Sequence, residues 1–309
     1  MEFDQETTDS ISVINDRHVH IMSPQLIELW KKMGIPFSKP DNYYSNIDTI
    51  IKTSGANNIS LISMAYVYAS GEFGGGTDDI TEKIRLENDH LAQAKSKFPE
   101  ITKAYYGVDP LQESALDEIK RCHKELKLDG IKLHFNASQV YLTEPEHLAK
   151  IKEVFEYASS NQIPVLLHFD NGHPKFGKTD VEILADLVLG QLTYVNLQIA
   201  HFGTSGGFNE KTKIVLNSFI DLFEKNHPIV KHRIVFDISG VGLDKKADGV
   251  SKLTESQFQE LSDYCRKLGF GKIVFGTDYP LYNSWEYLDI LGRKLNLTDK
   301  EVTELLKNK

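Results

Sequence analysis

Short apolar segments alternate with amphipathic helical stretches along this chain eight times, and this alternation restricts the folds that the chain can adopt. The apolar segments are rich in Ile, Val, Leu and aromatic residues, which is typical of strands buried on both faces of a parallel sheet. Strand followed by helix in repeated order predicts parallel strands joined by right-handed crossovers. The predicted strands are Ser12–Ile21, Asn58–Tyr66, Ile101–Val108, Gly130–Phe135, Pro164–Phe169, Val195–Phe202, Arg233–Ile238 and Lys272–Thr277.

Amphipathic helices are predicted between these strands at Leu111–Leu126, Pro145–Ser159, Asp180–Leu189 and Thr254–Leu268. Near the C-terminus, Thr298 and Glu301 form the sequence pattern of a helix-opening capping box. An open, doubly wound sheet would give the same rhythm, but no glycine fingerprint of a dinucleotide-binding fold follows the first strand. A closed (β/α)8 TIM barrel is therefore favoured.

The length of 309 residues fits one barrel with a few insertions, so we expect a single domain over residues 1–309 with an acidic N-terminal tail at about residues 1–10. The net charge of −9 argues against a nucleic-acid partner. The chain start lacks the pattern of a secretory signal, and no apolar run approaches the length of a membrane span. A cytoplasmic protein without a membrane partner is expected. Cys122 and Cys265 are predicted to be reduced, packed thiols within helices.

Two connections depart from the regular pattern. Residues Met22–Asn57 form a long first connection with three prolines, and we expect it to contribute a wall over the site. Gly71–Gly76, with the sequence GEFGGG, follows the second strand and is flexible by composition. A mobile surface loop and a lid over the site are both compatible with that composition.

Ionisable residues stand at the ends of six of the eight predicted strands, after runs that are otherwise apolar. Catalysis in a parallel barrel takes place at the carboxyl ends of the strands, so these positions are the candidate functional residues. They are His18, His20, Lys132, His134, His168, Asp170, His201, Asp237 and Asp278.

The histidines among them indicate a metal site. His18 and His20 point to the same side of the first strand, where two imidazoles can reach one ion. A buried histidine satisfied by a backbone carbonyl would explain His168 or His201 singly, but not four histidines at strand ends together. Asp278 ends the last strand, which neighbours the first in a closed barrel. Imidazoles with a carboxylate suit Zn²⁺ best, with Mn²⁺, Fe²⁺ or Co²⁺ as alternatives.

Five motifs together resemble the amidohydrolase superfamily, in order, from about Ile14 to Trp285. They are DRHVH in the first strand, GIKLH in the fourth, LLHFD in the fifth, IAHFG in the sixth and FGTDYP in the eighth. The chain is similar to the amidohydrolase-related branch, which includes aminocarboxymuconate-semialdehyde decarboxylase and related decarboxylases, hydratases and lactonases.

The resemblance implies a role for each matching residue. His18, His20, His168 and Asp278 would bind one divalent metal, and Asp278 would also shuttle a proton. His201 would act as a catalytic acid or polarising group, or as a ligand to a second metal. Lys132 either is carboxylated and bridges two metals, or keeps an ammonium group paired with Asp170 or Asp278. One metal is the default expectation, and His134 either faces the site or caps its loop.

The expected function is hydrolysis of a small-molecule ester, lactone or amide bond by metal-activated water. Non-oxidative decarboxylation by the same metal is the alternative, since near-identical ligands support both reactions, and a non-catalytic ligand-binding barrel is a third. Arg17, Lys132 and Tyr66 are candidate anchors for an acidic or hydroxylated substrate. A homodimer is common among similar proteins. Substrate identity depends on the loops.

Overall fold

The computed structural model describes residues 13–76, 78–247 and 249–307. Ser12 and the predicted acidic tail lie outside the described residues. Within those residues, eight parallel strands pair in sequence order from first to last, which confirms the predicted (β/α)8 architecture. The strands are β1 (Asn15–Ile21), β2 (Asn58–Ser63), β3 (Thr102–Gly107), β4 (Gly130–His134), β5 (Val165–His168), β6 (Asn196–Ile199), β7 (Arg233–Asp237) and β8 (Ile273–Val274).

Several strands end earlier than the hydrophobic pattern predicts. β2 ends at Ser63, because the chain turns into a short 3-10 helix at Ala65–Ala69. β6 ends at Ile199, because His201 and Phe202 adopt the left-handed conformation, with φ of 52° and 55°. Apolar side chains continue past both strand ends since these turns are themselves buried, so composition alone cannot mark the boundary.

The barrel closes where β8 meets β1. Only two residues of β8 pair with β7, yet the chain beyond them continues along β1. The backbone N–H of Arg17 donates to the carbonyl of Phe275 at 2.9 Å, and the N–H of His20 donates to that of Tyr279 at 3.1 Å. Closure therefore places the residues after β8 directly against His18 and His20.

The helices cover the outside of the barrel and agree in type with the predictions. They are α1 (Pro24–Lys32), α2 (Asn42–Ser45), α3 (Ile47–Ser54), α4 (Ile80–Lys97), α5 (Ala115–Lys124), α6 (Pro145–Ser160), α7 (Lys178–Ile183), α8 (Glu210–Glu224), α9 (Glu255–Leu268), α10 (Ser284–Lys294) and α11 (Asp299–Lys307). The predicted helix at Asp180–Leu189 is in fact α7 followed by a π-helical turn, Leu184–Val188, and a 3-10 turn. No helix in the described ranges is long and apolar enough to cross a membrane.

The predicted helix boundaries marked by capping residues are confirmed. Thr254 caps α9 by accepting from the N–H of Gln257, and Thr298 and Glu301 form the expected reciprocal pair at the start of α11. Cys122 on α5 and Cys265 on α9 are free and buried, as expected.

Side-chain alternation along β4 shows how the barrel separates its core from its site. Ile131 and Leu133 are buried in the main hydrophobic cluster with side chains of the surrounding helices. Lys132 alternates with them, is only 1% exposed, and lies close enough to Asp237 and Asp278 to interact with their charges. Inward positions near the strand ends are therefore polar while outward positions stay apolar.

The long first connection folds into α1, α2 and α3, and its buried residues cluster with the segment after β2. Met22 and Tyr44 share a hydrophobic cluster with Tyr66, which lies beside the strand ends. The GEFGGG segment is joined to α1, since the indole N–H of Trp30 donates to the carbonyl of Phe73 at 3.0 Å. These two connections thus form one wall on the side of the barrel next to β2.

Glu87 on α4 makes this wall sensitive to pH. Its carboxyl group is 2% exposed, accepts the backbone N–H of Ser23 at 2.8 Å, and leaves Oε2 without a hydrogen bond. Burial raises the pKa of Glu87 to about 7. The folded protein therefore keeps a proton that the unfolded chain releases between about pH 4.5 and 7, so stability falls as pH rises through that window.

We expect Glu87→Gln to remove much of this dependence, because a neutral amide carries no ionisation cost. Relative to the wild type, the variant should gain up to about 3 kcal/mol in unfolding free energy at pH 8 and nothing near pH 4.5. Urea denaturation across this range measures the difference. If the unfolding free energies of the two proteins changed equally with pH, Glu87 would have the same pKa in the folded protein as in the unfolded chain.

Candidate metal centre and active site

Four predicted site residues converge at the closure of the barrel. The Nε2 atom of His20 lies 3.1 Å from Oδ1 of Asp278, and Nε2 of His18 lies 3.5 Å from the same oxygen. The ring centroids of His18 and His201 are 4.8 Å apart. β1 supplies the first two histidines, and the turns after β6 and β8 supply His201 and Asp278.

Backbone strain accompanies this convergence. His201 and Asp278 both have positive φ, 52° and 56°, which costs free energy in residues other than glycine. Two glycines allow the close approach that follows. A Cβ at Gly276 would lie 2.9 Å from Cβ of His18, and one at Gly240 would lie 3.4 Å from both Asp278 and His201. The tight turns thus aim both polar side chains at the same space.

Asp237, at the end of β7, lies beneath these residues and is fully buried. Its Oδ2 is 3.0 Å from Nδ1 of His18 and 2.8 Å from Nε2 of Gln198. Its Oδ1 accepts the backbone N–H of His201 at 3.0 Å and the hydroxyl of Ser239 at 2.5 Å. Burial alone would raise the pKa of Asp237, but its contacts with His18, His201 and Ser239 outweigh burial and lower the pKa.

The electrostatics of Asp278 follow the same pattern. Burial works to raise the pKa of its carboxyl group, but the charge of His201 and the hydrogen bond from His20 outweigh that effect, so the pKa is lowered. Asp278 is the more accessible of the two acids, with 21% of its side chain exposed, while that of Asp237 is fully buried. An ionised carboxylate that solvent can reach is suited to binding a cation or taking up a proton.

His168 lies beside this group and forms a stack with two other predicted residues. Its ring is 3.8 Å from that of His134 and nearly parallel to it, and the ring of Tyr66 covers the other face of His134 at 4.6 Å. Nε2 of His168 is 3.3 Å from the hydroxyl of Ser205. Nδ1 of His134 accepts the N–H of Ala137 at 3.2 Å, so His134 both faces the stack and caps its loop.

Lys132 lies inside the barrel among these groups. Burial lowers its pKa to about 8, and the charges of Asp237 and Asp278 oppose that shift. Its ammonium lies 5.7 Å from the ring centre of Tyr66, and within the described ranges it has no carboxylate partner within 4.0 Å. Asp170 pairs with Lys211 at 3.3 Å instead, so the expected Lys132–Asp170 pair is not formed.

The structure does not bring Arg17 to this cluster. A bulge in β1 between Asp16 and Val19 changes the register of this stretch against β2. The Arg17 guanidinium is partly buried and interacts with Tyr105 and with Arg233, which begins β7. Burial lowers the pKa of Arg17. Arg17 therefore lies closer to the start of β7 than to the strand ends that carry the cluster.

The donor set fits a divalent metal. One ligand atom from each of His18, His201 and Asp278 lies within 4.8 Å of the others. Nε2 of His18 and Nδ1 of His20 are buried and form no hydrogen bond in the described chain. Buried, unpaired imidazole nitrogens are costly unless a further partner binds there, and imidazole with carboxylate suits Zn²⁺ or Mn²⁺.

A cleft of about 490 Å³ opens next to His168, between the loops that follow β5, β6 and β7. Ser205 lines this cleft and also contacts His168, so the cleft borders the site at the strand ends. Asp170 and Lys211 lie on its sides. The cleft has a mixed polar and apolar lining and offers both charges to a small molecule.

Sequence reasoning named Asp237 among the strand-end residues but gave it no role, and it gave none to Asp16, Ser205 or Ser239. Asp16 is fully buried and accepts the N–H and hydroxyl of Thr277 at 3.0 and 2.5 Å, which fixes β1 to β8. The position of Asp237 after an apolar strand was the available signal. No comparable signal marks the two serines.

The sequence matches a known protein family over most of its length. A family model described as amidohydrolase matches residues 61–308, which contain the strand ends from Lys132 to Asp278. No curated protein matches the sequence. Among solved structures, 5-carboxyvanillate decarboxylase from Sphingomonas paucimobilis is 14% identical, with a TM-score of 0.62, covering 96% of each chain.

Two other solved structures are comparably similar. Dihydroxybenzoic acid decarboxylase from Polaromonas sp. JS666, with bound manganese and the inhibitor 2-nitroresorcinol, has a TM-score of 0.60 and 17% identity, covering 95% of this chain and 94% of that one. A probable 2-pyrone-4,6-dicarboxylic acid hydrolase from Acinetobacter baumannii, with citric acid bound, has a TM-score of 0.58 and 17% identity, covering 95% and 96%. At these identities the similarity shows a shared fold.

Proposed function

The chain belongs to the amidohydrolase family, and from that premise and the geometry of its site we propose that it is a metal-dependent hydrolase of a small-molecule ester, lactone or amide. The observation that carries this proposal is the convergence of His18, His20, His201 and Asp278 at the barrel closure. Enzymes of this family use a divalent metal. Bound there, the metal would activate water and polarise a carbonyl group.

The residues that would hold the metal are His18, His20 and Asp278, together with His168. His18 and His20 have buried nitrogens without hydrogen bonds, which supports their assignment. His168 lies farther from the group, with its ring centre 5.3 Å from that of His201, and contacts Ser205. His201 is closer to His18 and is therefore an alternative fourth ligand. Zinc is the proposed ion, and manganese the alternative.

Asp278 and His201 would carry the proton transfers. Asp278 has a solvent-accessible carboxylate beside the two β1 histidines, so it would accept a proton from the attacking water and return it to the leaving group. His201 faces the same space and would hydrogen-bond the oxygen on which negative charge develops. Lys132 and Tyr66 line the inner side of the site and would orient an acidic or hydroxylated substrate.

The competing function is non-oxidative decarboxylation, in which a proton replaces the carboxyl group of the substrate. Two of the similar structures named above are decarboxylases and one is a hydrolase. The ammonium of Lys132, buried close to the two acids, favours a substrate carboxylate in either reaction. A small-molecule ligand, a cytoplasmic location, a homodimer and a single domain stay predictions from the sequence.

Isotope labelling distinguishes the two reactions. The zinc- or manganese-loaded protein would be screened with lactones, esters, amides and carboxylated aromatic compounds in water enriched in ¹⁸O. We expect one ¹⁸O atom in the acid product and no release of CO2, because hydrolysis adds one water oxygen to the carbonyl carbon. Release of CO2 with an unlabelled organic product would show that the protein is a decarboxylase and not a hydrolase. A His18→Ala, His20→Ala variant serves as the inactive control.

A further inference from the structure

Asp237 accepts hydrogen bonds from several site residues but is itself fully buried beneath the site. Its side chain is fully buried, and its two oxygens accept from four donors. The donors are Nδ1 of His18, Nε2 of Gln198, the backbone N–H of His201 and the hydroxyl of Ser239. An ionised carboxylate can only accept hydrogen bonds, so each of these atoms must present a hydrogen to it.

This arrangement determines which nitrogen of His18 carries the proton. At about pH 8 an imidazole is neutral and has a single N–H, and the only hydrogen-bond partner of the His18 ring in the described chain is the Asp237 carboxylate at Nδ1. Because Nδ1 donates to Asp237, Nε2 is left with a free lone pair. Nε2 is the atom of this ring that forms no hydrogen bond, and it faces Asp278 at 3.5 Å. The free lone pair is therefore directed at the proposed metal position.

The same accounting applies to His201. Its Nδ1 lies 2.7 Å from the carbonyl oxygen of Ser239, which can only accept, so Nδ1 carries a hydrogen. The Ser239 hydroxyl donates its one hydrogen to Asp237, so its oxygen can only accept from Nδ1 of His201 at 3.0 Å. Nε2 of His201 is then the nitrogen available to substrate or metal.

We propose that Asp237 is the positioning residue of this site, which holds His18 by direct contact and His201 through its backbone N–H and Ser239, both as Nδ1–H tautomers, with Nε2 of His18 facing Asp278. The effect of Asp237 on metal binding rests on the proposed metal-dependent function, whereas the tautomers are a property of the metal-free protein. A carboxylate that fixes the tautomer and orientation of a ligating histidine strengthens metal binding by about 10- to 100-fold.

Asp237→Asn is the informative variant, because it keeps the size of the side chain and removes one accepting position. If the amide oxygen stays with Ser239 and the N–H of His201, the amide nitrogen faces His18. Nδ1 of His18 must then accept, and its proton moves to Nε2. Glu118→Gln is the matched control, since Glu118 is another buried acid with several hydrogen bonds, which come from Asn88 and Arg121 on the outer helices and none from an imidazole nitrogen.

The experiment records two-bond ¹H–¹⁵N correlations of ¹⁵N-histidine-labelled, metal-free protein at about pH 8, where imidazoles are neutral. Resonances are assigned with His18→Gln and His201→Gln. We expect Nδ1–H tautomers for both residues in the wild type and in Glu118→Gln, and a switch of His18 to Nε2–H in Asp237→Asn. An Nε2–H tautomer at His18 in the wild type, or no change in Asp237→Asn, would overturn the proposal.

Metal affinity supplies the second readout, measured by competition with a chelator for Zn²⁺. Asp237→Asn should bind about 10- to 100-fold more weakly than the wild type, and Glu118→Gln within about threefold of it. Equal losses in both variants would reduce Asp237 to a structural role. A wild type with the expected tautomers that binds neither Zn²⁺ nor Mn²⁺ would contradict the proposed function and leave the tautomer assignment standing.

Discussion

The His18→Ala, His20→Ala variant is expected to lose its metal completely, falling from about one Zn or Mn per chain in the wild type to under about 0.1. β1 contributes two of the proposed ligands, and a catalytic metal is typically held by only three protein groups. Asp278 and either His168 or His201 would have to bind the ion without the two imidazoles of β1. Elemental analysis of purified protein, before and after reconstitution with Zn²⁺ or Mn²⁺, measures this loss.

A matched double variant controls for the general effect of removing histidines. His123 lies on α5 and His227 pairs with the exposed Asp186, so neither belongs to the strand-end cluster. Their replacement by alanine should leave the metal content at the wild-type level. Equal metal content in both double variants would show that the two histidines of β1 do not bind the metal. About two ions per wild-type chain would indicate that Lys132 is carboxylated and holds a second metal.

Asp278→Asn is expected to lower kcat about 1,000-fold on whichever substrate the labelled-water screen identifies, since general acid–base catalysis contributes roughly 10²–10⁴ to rates. An amide retains an oxygen that can coordinate the metal but cannot take up a proton at neutral pH. We therefore expect kcat and kcat/KM to fall together, with metal content at saturating Zn²⁺ reduced much less. Steady-state kinetics on the metal-loaded variant measures both.

Asp129→Asn is the control for this substitution. Asp129 precedes β4 at the opposite end of the barrel and pairs with Lys95 at 2.7 Å. It should retain near-wild-type kcat. A kcat for Asp278→Asn within about tenfold of the wild type would assign the proton transfers to another group, and His201 would be the first candidate.

The strand ends were the predictable part of the site. A strand buried on both faces must be apolar, so an ionisable residue directly after such a run stands out in the sequence. That reasoning places His18, His20, His201 and Asp278 at one end of the barrel, where the structure brings them together. It also names His168, whose distance from the others depends on the stack with His134 and on Ser205.

Arg17 was a candidate substrate anchor, and the structure places it outside the cluster, next to an irregularity in β1. The strict two-residue alternation of a strand predicts side-chain direction only in a regular ladder, and the bulge in β1 changes the register next to His18. The bulge is visible only once β1 is paired with β2. Strand lengths were overestimated for a related reason, because buried turns such as that of His201 and Phe202 are as apolar as the strands they end.

The sequence by itself determined the order of strands and helices and the candidate residues at the strand ends, because burial on two faces imposes an apolar pattern that any polar residue interrupts. It favoured a closed barrel over an open sheet, and the pairing of the chain after β8 with β1 showed the closure. Only the tertiary structure decided what those residues do to one another. Asp237 gained its role from donors on three other segments, and His18 and His201 gained their tautomers from it. Hydrogen-bond direction depends on distances between atoms far apart in the chain, and no local pattern encodes those distances.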